Sequence, residues 1–511
     1  MAELDTTRPS PHARTRQNGA VCPPVKCAMQ WYYKLGAKVR RLHKATSSGM
    51  VPQGAARVIQ LSFGFAIIML LANTLSAEVL GRYYVVTGVS VLIHIVLFNG
   101  LHFPIQRMLP SGRSEQSSFV STLVFTSHAA FCLLLAGYLL ALETASQPVA
   151  IAFMVALLAI SETIESQITN LTSALRSPWV YLFSVCTRSS VILGSIIAFA
   201  AIDALTVERV IACFAAGNIA MSVIAAKRLQ PLLQFRAIDF SLVRASTRFS
   251  APYMLSEAMN QSVLRLDRAI VAYFLGWAAA GTYGLIADLC RRLIEGVTIG
   301  ARLAYVRDVV EAEISGDRAE REVAILKLSR AFLLIGTTIA SCLAAYGNQA
   351  FSLAIGNPEF TRYPGLIQIL ALTYLLAAAR KYVIQLPFEL TGRRWLDTVV
   401  SLVAFISFLL LFPGLTHMMG IMGSGAGMLI VNIIGTICAG VLNVRHCRVG
   451  LPHREIAVSF LCPVAATIWA RSGMSGTSVD IISTGVGLVV SGSIVVIFHI
   501  ALFWTSDRNK R

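Results

Sequence analysis

Between Val58 and Trp504 the sequence alternates long apolar runs with short polar connections, and this alternation leaves few folds open. Fourteen runs, near 58–76, 84–101, 118–142, 148–172, 178–202, 208–226, 249–274, 280–302, 331–355, 364–388, 396–412, 418–443, 456–471 and 481–504, approach the length a helix needs to cross a hydrocarbon core of about 30 Å. Inside lipid every backbone N–H and C=O must be satisfied within its own segment, so such runs predict an all-α polytopic membrane protein. The composition agrees: of 511 residues 56% are apolar and 14% charged, outside the range of soluble domains.

The formal charge of +17 reports topology rather than nucleic acid, because the basic residues sit between apolar runs and form no compact basic domain. Of the 43 Lys and Arg, 32 fall on one set of connections and both termini, four on the other set and seven within spans. The positive-inside rule then puts both termini in the cytoplasm. The ten cysteines are scattered singly, with no ligand spacing for a metal and no disulfide framework. No signal peptide precedes the first run. In the basic leader, residues 1–57, the stretch 25–44 places Trp31, Tyr32, Leu35 and Val39 on one arc and Lys34, Lys38, Arg41 and Lys44 on the other. That pattern predicts an amphipathic helix on an anionic membrane surface.

Two runs do not suit lipid. Residues 249–274 carry Glu257, Arg265, Asp267 and Arg268, and residues 280–302 carry Asp288, Arg291, Arg292 and Glu295. Four mid-span charges cost about 10–14 kcal/mol, against about 2–4 kcal/mol returned by the apolar residues of the same run. Both segments must therefore turn a polar stripe to a protein interior. At 100° per residue Glu257, Asn260, Gln261, Arg265 and Arg268 share an arc of about 140°, and the four charges of the next run share about 100°. Span four adds Glu162 and Glu165, and span five adds Arg188, which has no acid one turn away on its own helix.

A weak repeat orders the chain. Leu80-Gly81-Arg82-Tyr83-Tyr84 follows the first span and Leu275-Gly276 with Gly281-Thr282-Tyr283 follows the seventh. An even offset of six spans gives two halves of like orientation, related by an axis along the membrane normal. The expected architecture is two six-helix lobes around a central cavity: an N-lobe at 58–226, a linker at 227–248, a C-lobe at 249–443, two extra helices at 456–504 and a tail at 505–511.

With these motifs, with Asn99-Gly100-Leu101-His102 and Gln106-Arg107 after span two, and with Phe249-Ser250-Ala251-Pro252 before Leu266-Asp267-Arg268, the chain resembles the polysaccharide repeat-unit flippases. These are the Wzx type, in the polysaccharide transporter family of the multidrug/oligosaccharidyl-lipid/polysaccharide exporter superfamily. The resemblance covers about residues 55–505, and the long basic leader departs from it. It implies a secondary transporter and not an enzyme, with no cofactor beyond a coupling H+ or Na+. The cargo would be a lipid-linked oligosaccharide, an undecaprenyl-pyrophosphate repeat unit, carried to the outer leaflet of a bacterial inner membrane. Polysaccharide polymerase and chain-length proteins would be its partners.

A diphosphate and its sugars need a wet, cationic path, and arginine offers phosphate a bidentate fork that stays charged when desolvated. The substrate-binding candidates are Arg188, Arg265, Arg268, Arg291, Arg292, Gln261 and Asn260; the coupling-ion candidates are Asp267, Glu257, Asp288, Glu162 and Glu165. Pairs at i, i+4, Asp288 with Arg292 and Arg291 with Glu295, are expected to neutralise much of span eight internally. Arg380 and Lys381 are expected to snorkel toward the cytoplasmic end of span ten, and Pro252 and Pro387 to bend their helices. Two other classes fit the hydropathy: a small-molecule or multidrug exporter of the same superfamily, and a membrane polymerase or glycosyltransferase. An excess of arginine disfavours cationic drugs, and the short connections leave no room for a catalytic domain.

Overall fold

The structure is a computed structural model that describes residues 50–98, 113–144, 147–175, 177–229, 240–315, 318–391, 393, 395–447, 461–463 and 465. The amphipathic leader helix, the Asn99–Arg107 motif, span fourteen and all of span thirteen but residues 461–463 and 465 lie outside the described residues.

Every element is helical among the described residues. They are α1 (Met50–Thr74), α2 (Ala77–Ile93), α3 (Arg113–Thr144), α4 (Gln147–Ala174), α5 (Pro178–Ala201), α6 (Val207–Leu229), α7 (Phe240–Leu275), α8 (Trp277–Ser315), α9 (Arg318–Ala354), α10 (Pro364–Ala379), α11 (Leu386–Leu390) and α12 (Trp395–Leu442). Nine helical segments among the described residues are long and apolar enough to cross a membrane. Helices α7 and α8 are longer than most of these, and their charged and polar residues keep them out of that set. At 1.5 Å per residue α7, α8 and α9 run about 54–58 Å, well past a bilayer core.

The termini of several helices differ from the hydropathy boundaries for local reasons. Span two starts at Ala77, because Ser76 caps it: the Val79 N–H donates to Ser76 Oγ at 3.4 Å. Glu78 in the first turn suits the helix dipole and pairs with Arg82 at 2.7 Å. Span seven starts nine residues early, at Phe240, inside the stretch expected to be linker. Span ten is interrupted: α10 widens into a π-turn at Arg380–Ile384, and α11 restarts with Pro387 in its first turn. Proline there lacks a helical N–H to lose, so the break falls where its ring is tolerated. Pro252, by contrast, sits within the continuous α7.

Helix α12 contains spans eleven and twelve, folded back at Gly420, whose φ of 62° and ψ of −146° only glycine adopts at low cost. Across this turn the Thr416 and Ser424 hydroxyls meet at 3.1 Å.

Residues Pro52–Arg511 form one compact unit. Helices α2, α4, α5 and α6 pack on one side, and α7, α9, α10 and α12 on the other, with α2 against α7 and α8 joining the two halves. That join is tight where α2 and α8 begin. A methyl group on Gly81 would overlap the Trp277 carbonyl oxygen, and one on Gly281 would overlap the Ala77 carbonyl oxygen. The two contacts are reciprocal, so α2 and α8 cross on the pseudo-twofold axis that the repeat predicts. A second tie lies nearby. The Gly356 N–H donates to Asn73 Oδ1 at 2.7 Å, and Asn73 Nδ2 donates to the Ala354 carbonyl at 3.2 Å.

Candidate functional site

Beneath this crossing lies a cavity of about 230 Å³. Its wall draws on both halves: Gln60 and Gly64 from α1, Tyr83, Tyr84 and Thr87 from α2, Glu162 and Glu165 from α4, Arg188 and Ser189 from α5, Phe214 from α6, Arg265 and Arg268 from α7, and Asp288, Arg291 and Arg292 from α8. Five arginines face three carboxylates there.

The α8 charges pair differently from the i, i+4 expectation. Asp288 binds Arg292 Nε at 2.8 Å, as the spacing predicts, but Arg291 turns to Asp288 at 2.7 Å and not to Glu295. Asp288 is the buried acid of the two, so it draws every guanidinium within reach; Arg268 of α7 comes to 3.9 Å as well. One carboxylate thus serves three cations, and span eight does not neutralise itself. Gly64 on α1 makes room for this group, since a side chain there would overlap Arg292 Nη1.

Arg268 is 1% exposed, with its guanidinium 5.0 Å from the centre of the Tyr84 ring. Its Nε and Nη2 have no hydrogen-bond partner. Arg265, one turn away along α7, lines the same cavity and forms no ion pair among the described residues; its buried Nε is also unpartnered. Gly88 of α2 lets the two backbones approach, because a Cβ there would lie 3.1 Å from the Arg265 carbonyl.

Arg188, isolated on its own helix, meets an acid from the neighbouring one. Its Nη2 lies 2.7 Å from Glu165 Oε2, its Nε donates to Asn218 Oδ1 of α6, and Asn218 in turn donates to Ser161 Oγ. Gln60 Nε2 of α1 donates to Glu165 Oε1 at 3.3 Å.

The remaining candidates do not line the cavity. Gln261 donates to Glu257 at 2.8 Å on the same helix, and Asn260 accepts from Arg380 Nη2 at 3.4 Å. Asp267 is wholly buried, and its Oδ1 accepts the Arg268 N–H at 2.8 Å. Arg380 does not snorkel: it is 6% exposed and lies against Gly435 of α12, whose missing side chain leaves space for the guanidinium. Tyr83, Tyr84, Phe214 and Gln60 belong to the cavity wall without having been singled out in the sequence. The Leu-Gly-x-Tyr repeat held the signal for the first two, since it marks the crossing directly above them.

No family model and no curated protein sequence matches the chain. Solved structures do. A structure of the lipid II flippase MurJ in an inward closed conformation aligns over 90% of this chain and 99% of its own, with a TM-score of 0.64 at 12% identity. The fold is that of the MOP-superfamily transporters. A Vibrio cholerae MATE transporter, VcmN, aligns over 80% of this chain and 98% of its own with a TM-score of 0.55 at 15% identity. An inward-facing multidrug-resistance MATE transporter of the MOP superfamily aligns over 83% and 96%, with a TM-score of 0.52 at 12% identity. These neighbours are transporters and flippases, not enzymes. In this chain the cavity lies between the two halves, beneath the crossing of α2 and α8.

Proposed function

We propose that the protein flips a lipid-linked oligosaccharide, a polyprenyl-diphosphate sugar unit, from the cytoplasmic to the outer leaflet of a bacterial inner membrane for surface-polysaccharide synthesis. The observation that carries this reading is the cavity's excess of arginine, with five guanidiniums against three carboxylates and Arg265 unpaired. An anion replaces the missing counter-charge. Phosphate oxygens suit guanidinium forks, and a diphosphate presents enough of them for several at once. The fold supports a flipping or exporting cycle, and the membrane leaves the lipid tail no reason to enter a polar cavity.

In this reading Arg265 and Arg268 hold the diphosphate from the C-lobe and Arg188 from the N-lobe, with Arg291 and Arg292 at their side. Asn260, Gln261 and Glu257 stand away from the cavity: Asn260 ties α7 to Arg380 of the π-turn, and Gln261 pairs with Glu257 within α7. The termini face the cytoplasm, and a gradient of H+ or Na+ drives the cycle.

The test is export in a strain whose own gene is deleted. Arg265→Ala is expected to abolish surface polysaccharide while the protein stays in the membrane at normal amount, and Arg265→Lys to restore export in part, since charge remains but the fork is lost. Normal export from Arg265→Ala would overturn the reading. Hypersensitivity of the deletion strain to cationic dyes, with unchanged surface polysaccharide, would favour a multidrug exporter instead.

A further inference from the structure

The cavity contains one ion pair that an arriving anion can split. We infer that Arg188 is exchanged between Glu165 and the phosphate of the substrate, so that anion binding is accompanied by uptake of one proton at Glu165. This rests on the reading of the cavity as an anion site and adds to it the residue that links transport to protons.

The other carboxylates are excluded by their surroundings. Asp288 is held by Arg291 and Arg292 with Arg268 behind them, so loss of one guanidinium leaves it two. Glu257 and Asp267 do not face the cavity. Glu162 faces it but has no ion pair to give up. Glu165 has one cation in direct contact, Arg188 at 2.7 Å, and that cation itself lines the cavity. Both side chains are partly open, 11% for Arg188 and 16% for Glu165, so the pair is reached from the cavity.

The groups around Glu165 come from four helices. Arg57 and Gln60 approach from α1, His94 from the π-helical turn that continues α2, Glu162 from α4 itself, and Arg188 and Tyr181 from α5. Arg57 is exposed, donates to Gln60 at 3.0 Å and lies over the Tyr181 ring, so it does not replace Arg188 in direct contact. His94 is engaged with Thr163 at 2.8 Å. Asn218 fixes Arg188 Nε, which leaves the Nη edge to swing between oxyanions. Before exchange a carboxylate and a guanidinium neutralise each other. Afterwards the guanidinium neutralises a phosphate oxygen, and the carboxylate, left inside the membrane without its cation, binds a proton from the cavity water. One O–H bond forms on Glu165 as the bond to that proton breaks on the hydronium or buffer acid that supplies it through the cavity water, and no other covalent bond changes.

The experiment measures heat of binding of inorganic pyrophosphate to the full-length protein in detergent, at one pH, in two buffers of different ionisation enthalpy; the difference gives protons taken up per ligand. Wild type is expected to take up one proton more than Glu165→Gln. Glu165→Gln keeps the size and shape of the side chain and one acceptor oxygen, and is expected to bind about tenfold tighter, because no carboxylate competes for Arg188. Arg188→Gln, in which Glu165 has already lost its cation, is expected to bind more weakly and without the extra proton. Glu162→Gln is expected to retain it. Equal uptake in wild type and Glu165→Gln, or loss of uptake in Glu162→Gln, overturns the assignment while leaving the anion site standing. Absence of pyrophosphate binding in wild type overturns both.

Discussion

Two arginines one helical turn apart have opposite standing. Arg265 has no carboxylate partner, so Arg265→Ala removes a buried charge without orphaning another, and the thermal midpoint of the purified protein is expected to hold or rise slightly. Arg268 fills the space beneath Tyr84 and shares Asp288, so Arg268→Ala opens a void and loosens a buried network, at about 3 kcal/mol. Thermal unfolding of the two variants side by side checks this, and equal midpoints would refute it. The sequence showed both residues on one polar arc, and that arc is real. It could not show that the same arc changes partners with depth. Asn260, two turns before Arg268 on α7, meets Arg380 of the π-turn instead of the cavity, and Gln261 bonds to Glu257 on its own helix. Likewise the i±4 rule sees only one helix, so Arg188 looked solitary although Glu165 stands beside it on α4.

At the scale of elements, the membrane spans were legible wherever apolarity alone defines them. Their ends were not, because Ser76 and Pro387 set helix limits by capping and ring geometry, which hydropathy does not register. The tie between α1 and the connector after α9 was also hidden, since Asn73 is an ordinary polar residue at the end of an apolar run. Its two bonds to Ala354 and Gly356 join the halves at the end where α2 and α8 begin. At about 0.7 kcal/mol for each of these exposed bonds, the two together predict that Asn73→Ala opens this end about tenfold more often. A cysteine placed at Thr87, on the cavity wall, should then react about tenfold faster with an impermeant maleimide added outside. An unchanged rate would show that Asn73 does not hold the end shut.

For the whole molecule, the repeat read from Leu80-Gly81 and Gly281-Thr282 located the axis relating the halves, and the cavity lies beside that axis. Gly81→Val and Gly281→Val are expected to cost the same, about 1–3 kcal/mol of overpacking each, because each strikes the equivalent carbonyl of the other helix, Trp277 and Ala77 respectively. Unfolding midpoints that differ widely between the two would argue against a reciprocal crossing. Charge set the rest of the architecture. Helices α7 and α8 fail as lipid-facing spans, and they line the cavity because nowhere else in the bundle can take them.

The crossing of α2 and α8 is a seal made of main chain. No substitution can remove an atom from Gly81 or Gly281, so this closure cannot be weakened by subtraction. At this crossing a leak comes from added bulk that wedges the helices apart, whereas the Asn73 tie beside it is lost by truncation.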